Sequence, residues 1–396
     1  MPSSLQTRPD AVHQLKTDQP LKPKRKWAKT AAVTALALFV AANGIFMLTP
    51  EKKKPLGSAN DSLRDLWSGT GSIDLAVNGF NDLKQRPTVV LLGSSLIMQP
   101  FWAMDVDLNK KIPDIFHYHS SIAFERKLAA DGAPNQRIYN FAIFGQMISD
   151  AYIYVNEYLK GDKKPDVLMF GIAPRDFYDG DLPSPTATFT FKRLVGLDNF
   201  AQYADSYFPS WQDKADWLAS HVCYFYGKRW RLQHETGRVV GLAYDNLGIP
   251  NDEQAPPAPA GNNAGFMLNG STDERWSNSA KEYRKRYHDI GNKDLSIQEG
   301  FFRKILDVCG QRHIKVVLVN MPLSEKNRSI LPPGFYDKFR NTIAELAHRP
   351  GVKFIDLGPS PAFQDTDFWD TAHLNNLGGH KLIDRIAPSV VQDLAH

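Results

Sequence analysis

The sequence predicts an α/β fold: a three-layer α/β/α domain on a mostly parallel five-stranded sheet, preceded by one N-terminal transmembrane helix. Two observations predict it. Short apolar runs rich in Val, Ile and Leu alternate with helix-like segments, the rhythm of parallel strands covered on both faces. Ahead of them, Ala31–Leu48 (AAVTALALFVAANGIFML) carries no charge and lies between two basic clusters.

The first 26 residues are polar and basic, with Lys16, Lys22, Lys24, Arg25 and Lys26, and read as a cytoplasmic tail. With Trp27 as an interfacial anchor, a helix over 27–49 just crosses about 30 Å of hydrocarbon. More Lys and Arg precede the run than follow it, so the positive-inside rule leaves the N-terminus in the cytoplasm. The rest of the chain is then extracytoplasmic, in a periplasm or outside the cell. A cleavable secretory signal cut near Val40-Ala41-Ala42 is the rival reading. The retained anchor is preferred because the apolar run continues past that point, and both readings export the domain.

Residues 50–86 read as a linker with flexible points at Gly57-Ser58 and Gly69-Thr70-Gly71-Ser72. The main domain is expected over 87–396. Its strands are predicted at Thr88–Leu92, Ile138–Ile143, Val167–Phe170, Ile314–Val319 and Val352–Ile355, and a helix at Ser149–Leu159 with Ser149 as N-cap. An insertion at about 180–300 breaks the rhythm. Its first part, 190–247, is rich in aromatics (Trp211, Trp217, Tyr224, Phe225, Tyr226, Trp230) and reads as core helices packed over the sheet. Its second part, 249–272, is rich in Pro, Gly and Asn and reads as a mobile loop. Tyr283, Arg284 and Arg286 fall on a charged helical stretch expected to be a solvated face.

Composition narrows the function. The formal charge is +4, and its basic excess sits around the apolar run, so nucleic acid is not an expected partner. Cys223 and Cys309 are the only cysteines, too few for a metal site or a disulfide framework, and their pairing is left open. His117 and His119 lack further ligands at metal spacing, and neither a metal nor a cofactor is expected.

Open α/β sheets build their sites at the carboxyl ends of their strands. Gly93-Ser94-Ser95 stands at such an end, where a serine hydroxyl is presented on a strand-to-helix turn beside backbone N–H groups. Asp370-Thr371-Ala372-His373 offers an imidazole with a carboxylate three residues earlier, able to fix its tautomer; an exposed His at a capped helix start is the plainer reading. Asn320-Met321-Pro322-Leu323-Ser324 follows the fourth strand and either lines the cleft or simply turns the chain.

In their order these segments resemble the SGNH (GDSL-like) hydrolase superfamily over about residues 86–390, the insertion excepted. The resemblance implies Ser95 as nucleophile, Asp370 and His373 as its triad partners, and Gly145 of Asn140–Gly145 (NFAIFG) as an oxyanion donor. The third family block, Gly-x-Asn-Asp, is replaced by Gly171-Ile172-Ala173-Pro174-Arg175-Asp176. The missing asparagine is worth about 3 kcal/mol of transition-state stabilisation. Arg175 is the candidate substitute, for an oxyanion or an anionic substrate, with an Arg175–Asp176 structural ion pair as the alternative.

The anchor and the altered third block are similar to the extracytoplasmic acyl-transfer proteins of the DltD and AlgX/AlgJ type. That likeness implies a membrane-bound O-acyltransferase as partner and a cell-surface or exported glycan as acceptor. The expected function is O-acyl transfer. A polysaccharide acetylesterase of the same fold and a catalytically idle membrane-tethered scaffold are the alternatives.

Overall fold

The computed structural model describes residues 25–48, 71–109, 111–229, 272–293 and 295–395. They divide into two units, one formed by Met1–Lys52 with Asp216–Asp252 and the other by Lys53–Ala215 with Glu253–His396. The expected cytoplasmic tail of residues 1–26, as far as residue 24, and the expected mobile loop at 249–272, all but Thr272, lie outside the described residues.

In the first unit, helix α1 (Arg25–Leu48) contains one stretch, Thr30–Leu48, long and apolar enough to cross a membrane. At 1.5 Å per residue these 19 residues span about 28 Å. With α1 goes the later part of α9 (Trp211–Val222) and the short α10 (Tyr224–Gly227).

The second unit is the α/β domain. Its sheet contains β1 (Val89–Leu92), β2 (Ile138–Asn140), β3 (Val167–Ile172), β4 (Lys315–Asn320) and β5 (Val352–Asp356). All pairings are parallel, in the order β2-β1-β3-β4-β5. This is the doubly wound order whose direction of winding reverses between β1 and β3. Four of the strands fall within a residue or two of the predicted runs. Strand β2 is shorter than predicted, because Phe141 to Ile143 leave the ladder as an irregular extension. The N–H groups of Phe141 and Ile143 still reach the carbonyls of Leu91 and Gly93, which carries the chain past the end of β1 toward Gly145.

Alternation along the strands fills two core layers. Val89, Leu91, Val167, Met169, Val317 and Val319 pack with α3 (Ser95–Leu108), α4 (Ile122–Ala130) and α15 (Asn376–Leu394). On the other face Phe170 meets Phe302 of α12 (Ser296–Gln311), which packs beside α5 (Ile148–Tyr158). Ser149 lies inside α5 and is not its cap. Met147 holds that place, and Asp150 turns back to accept its N–H at 3.0 Å.

Two expectations are corrected. The expected linker, with a flexible point at Gly69-Thr70-Gly71-Ser72, instead contains helix α2 (Gly71–Asn81), because Ile73, Ala76 and Phe80, at helical spacing, all bury. Gly71 and Ser72 are therefore buried helical residues. Among the described residues, the aromatics of the insertion form no layer on the sheet. In α7 (Phe189–Leu194) and α8 (Phe200–Tyr207), Phe191, Tyr203 and Tyr207 pack outside α5 and α12, with Tyr207 on Phe301 at 4.5 Å. Trp211, expected in the core, is 72% exposed, while Trp230 lies outside the described residues. The two cysteine thiols are both free, Cys309 buried in α12.

The remaining elements are α6 (Pro174–Phe177), α11 (Asp273–Arg286), α13 (Glu325–Arg328) and α14 (Phe335–Ala347).

Candidate active site

Strand β1 ends in a turn that only glycine allows. Gly93 has φ of 145°, and a Cβ there would meet the Gly171 carbonyl oxygen at 2.6 Å. Ser94 then stands at the N-cap position of α3 without a side-chain cap bond, and Ser95 is the first helical residue. The N–H groups of a helix's first turn have no intrahelical partner, so the Ser95 hydroxyl and N–H both stand at the positive end of the helix dipole.

His373 comes from a tight loop ahead of α15. Phe368 bridges to Leu374, the Trp369 N–H donates to the His373 carbonyl at 2.8 Å, and Asn375 caps α15 by accepting the Gly378 N–H. Asp370 Oδ1 accepts the N–H groups of Ala372 and His373, both at 2.8 Å. The loop is braced from behind. Ser324 donates to the Thr371 carbonyl at 2.6 Å, and the Thr371 hydroxyl meets Asn327 of α13 and Ser279 of α11. The segment after β4 thus turns the chain and supports the histidine loop, with Ser324 outside the cavity.

Ser95, His373 and Asp370 form one hydrogen-bonded series. Ser95 Oγ lies 2.9 Å from His373 Nε2, and His373 Nδ1 lies 2.9 Å from both Asp370 oxygens. Burial disfavours the charged imidazole, but the charge and hydrogen bond of Asp370 outweigh it and raise the His373 pKa. For Asp370, burial opposes ionisation and is outweighed by His373 and the two backbone N–H groups, so its pKa falls. This excludes the plainer alternative of an exposed, unpartnered histidine.

Gly145 has φ of 70° and lines the same cavity as Ser94 and Ser95. A Cβ on it would stand 3.3 Å from Arg175 Nη2, so guanidinium and Gly145 backbone are neighbours. Arg175 is 7% exposed. It donates to the Gln146 carbonyl at 3.3 Å and to Asp179 Oδ2 at 2.7 Å. Its main ionic partner is therefore Asp179; the Asp176 oxygen lies 3.8 Å away. Two of its five guanidinium N–H groups are thus engaged by described residues, and Arg175 lines the cavity. Asp176 accepts the Ala173 N–H, and its other oxygen is buried without a hydrogen bond of good geometry. Burial, only partly offset by Arg175 and Ser94, pushes its pKa up to about 6.

A cavity of about 520 Å³ brings these groups together, lined by Ser95, His373, Asp370, Gly145 and Arg175. Both flanks of the insertion wall it, through Thr188, Phe189 and Thr190 on one side and Glu282, Tyr283 and Arg286 on the other. The expected solvated face holds for Arg284, which is exposed, and is overturned for Tyr283 and Arg286. Tyr283 is buried, and Arg286 donates to Asp179 at 2.5 Å and to Glu282. Asp179, held by two arginines against the cost of its burial, titrates below the usual carboxylate range. A signal for this wall exists in the sequence: Trp276, Ser279, Ala280, Tyr283 and Tyr287 recur at helical spacing and all are buried. Asp179 carries no such signal. Among the described residues no cluster of His, Cys, Asp and Glu could hold a metal ion.

No protein-family model and no curated protein sequence matches the chain. Solved structures align over most of its length at low identity. One, described as a platelet activating factor from Streptococcus pneumonia, has a TM-score of 0.38 at 9% identity, covering 91% of this chain and 99% of that one. A GDSL-like lipase from Parabacteroides merdae has a TM-score of 0.33 at 13% identity, over 79% and 98%. The acetylxylan esterase Axe2 from Geobacillus stearothermophilus has 0.32 at 11%, over 78% and 95%. Overlap at these scores is loose. The chemistry of the site rests on its own hydrogen bonds.

Proposed function

We propose that this chain is a serine-dependent acyl-transfer enzyme of the SGNH type. It takes an acyl group onto Ser95 and passes it to a hydroxyl of a cell-surface or exported glycan. The observation that carries the reading is the Ser95–His373–Asp370 series, with two contacts of 2.9 Å in the required order. His373 removes the Ser95 proton as Oγ bonds to the carbonyl carbon of an ester or thioester. The oxyanion lies against the N–H groups of Ser95 and Gly145, with Arg175 supplying the donor that an asparagine gives in the resembling family. The intermediate collapses, the leaving alcohol or thiol takes the proton from His373, and the acyl-enzyme awaits an acceptor. The same sequence with the glycan hydroxyl as nucleophile completes the transfer; with water it is hydrolysis.

Helix α1 tethers the chain to a membrane with the α/β domain on the extracytoplasmic side, and a membrane-bound O-acyltransferase supplies the acyl group. The insertion flanks act as a lid that shields the acyl-enzyme from water.

The test is turnover of p-nitrophenyl acetate by the full chain in detergent, beside Ser95→Ala, with mass spectrometry of the trapped protein. The expected result is an acetyl group on the peptide carrying Ser95 and loss of both turnover and adduct in the variant. Equal hydrolysis by the two proteins overturns the assignment of Ser95. A folded parent that neither turns over nor traps acetyl, even from a thioester donor, favours the scaffold reading.

A further inference from the structure

Within the first unit, the membrane-length helix α1 does not stand alone. Most of its described side chains are exposed, and shielding falls on Ala42, Asn43 and Gly44. There the break between α9 and α10 lies against it. Asn43, the one carboxamide in the apolar run, closes that break with two bonds. Its Nδ2 donates to the Val222 carbonyl at 3.2 Å, and its Oδ1 accepts the Tyr224 N–H at 2.6 Å. Around this clamp Phe46 stacks on Tyr224 at 5.2 Å, and Phe225 contacts Phe46 and Phe39, both at 5.6 Å.

These contacts fix a depth. Asn43 lies five residues before Leu48, the end of the apolar span, and so about 7 Å below it along the helix axis. Phe39 is deeper still. Backbone polar groups at such a depth are tolerated only when protein satisfies them, and the clamp satisfies the broken helix and the carboxamide together. The chemistry of the segment follows the same gradient. Val222 and Tyr226 present exposed apolar and aromatic surface near the tip, Val222 at 54%. At the base, Asp216 accepts a hydrogen bond from the Tyr226 hydroxyl and pairs with Arg229 at 3.6 Å, and Arg229 lies over the Tyr226 ring. An apolar tip on a charge-paired base is the composition of an interfacial element, whose apolar face sits about 5–10 Å into the acyl boundary.

We infer that Asp216–Arg229 is a second membrane element: its tip, Val222 to Tyr226, enters the leaflet at the C-terminal end of α1, among lipid acyl chains, and Asn43 holds it there. The inference rests on α1 spanning a bilayer, and the experiment separates the two. Cys223 lies in the tip and accepts a thiol-reactive fluorophore in the native sequence, whereas Cys309 is buried with its pKa pushed up to about 12. The full chain, labelled at Cys223, is placed in phosphatidylcholine nanodiscs carrying bromines at shallow or deep acyl positions. A second sample carries the probe on α1 itself, as Val40→Cys with Cys223→Ser.

The expected result is quenching of both probes, strongest from shallow bromines for position 223 and from deep ones for position 40. Asn43→Ala is expected to cut quenching at 223 at least twofold and leave position 40 unchanged. Quenching at 40 with none at 223, and ready access of aqueous iodide to 223, overturns the inference alone. No quenching at either position overturns the spanning reading beneath it. Unchanged quenching at 223 in Asn43→Ala overturns the role of the clamp.

Discussion

Asp370 touches His373 at both a ring nitrogen and the backbone, so one carboxylate sets the imidazole's tautomer, its orientation and its pKa. Each has a separate readout. Because the His373 pKa is raised, the fraction able to act as base falls as pH drops through a value above that of an ordinary histidine, and the acid limb of kcat/KM is expected there. Asp370→Asn removes the charge that raises it. The expected outcome is a loss of about 10⁴ in kcat and an acid limb moved to lower pH, read from a pH–rate profile on an activated ester. A variant whose limb stays in place would mean that the titrating group is not His373. Little of this pairing was visible in the residues themselves. The Asp-x-x-His spacing was compatible with an exposed, capped histidine, and 277 residues lie between Ser95 and His373. Only the resemblance to a family brought them together beforehand.

At the scale of elements, the site depends on short segments that contribute nothing to its chemistry. The loop carrying His373 is pinned through Thr371 by Ser324, Asn327 and Ser279, which come from two separate helical regions. Ser324→Ala leaves the Thr371 carbonyl without this donor. It is expected to cost about 1–2 kcal/mol of stability and to lower kcat with KM nearly unchanged, since the substrate wall is untouched. Denaturant titration and steady-state kinetics check both halves; a rise in KM alone would point to a role in binding. The strands were readable because unbroken Val, Ile and Leu runs are what a sheet buried on both faces requires. Helix α11 was misread because its charges dominate its composition while Trp276, Ala280 and Tyr283 carry its packing. Its pairing with Asp179 was beyond reach, since nothing local links residues 107 apart.

For the whole molecule, buried carboxylates predict how stability moves with pH. Burial pushes Asp150 and Asp176 up to about 6, above the ordinary Asp value of 3.8. Between those values the folded chain binds more protons than the unfolded one, so stability falls as pH rises through that window. His373 acts in the same direction: its raised pKa adds stability at low pH that is lost as pH rises through the folded value. Asp179 and Asp370, both lowered, oppose this only below the ordinary Asp value, where their contribution fades as pH falls. Buried His119, lowered from 6.5 to about 4, offsets part of the fall between those two values. The α/β domain is therefore expected to resist urea better near pH 5 than at pH 8, and Asp176→Asn to narrow the difference. Greater resistance at pH 8 in both proteins would mean that these carboxylates are not buried as described.

The closing helix α15 packs on α3 and α4, and the loop just before it delivers His373 to Ser95. A ribosome makes this chain from the opposite end. Until α15 has been made, Ser95 exists without His373, and α3, with Leu96, Met98 and Phe101, waits for a partner translated well after it. The contact between Ser95 and His373 therefore forms only when α15 docks.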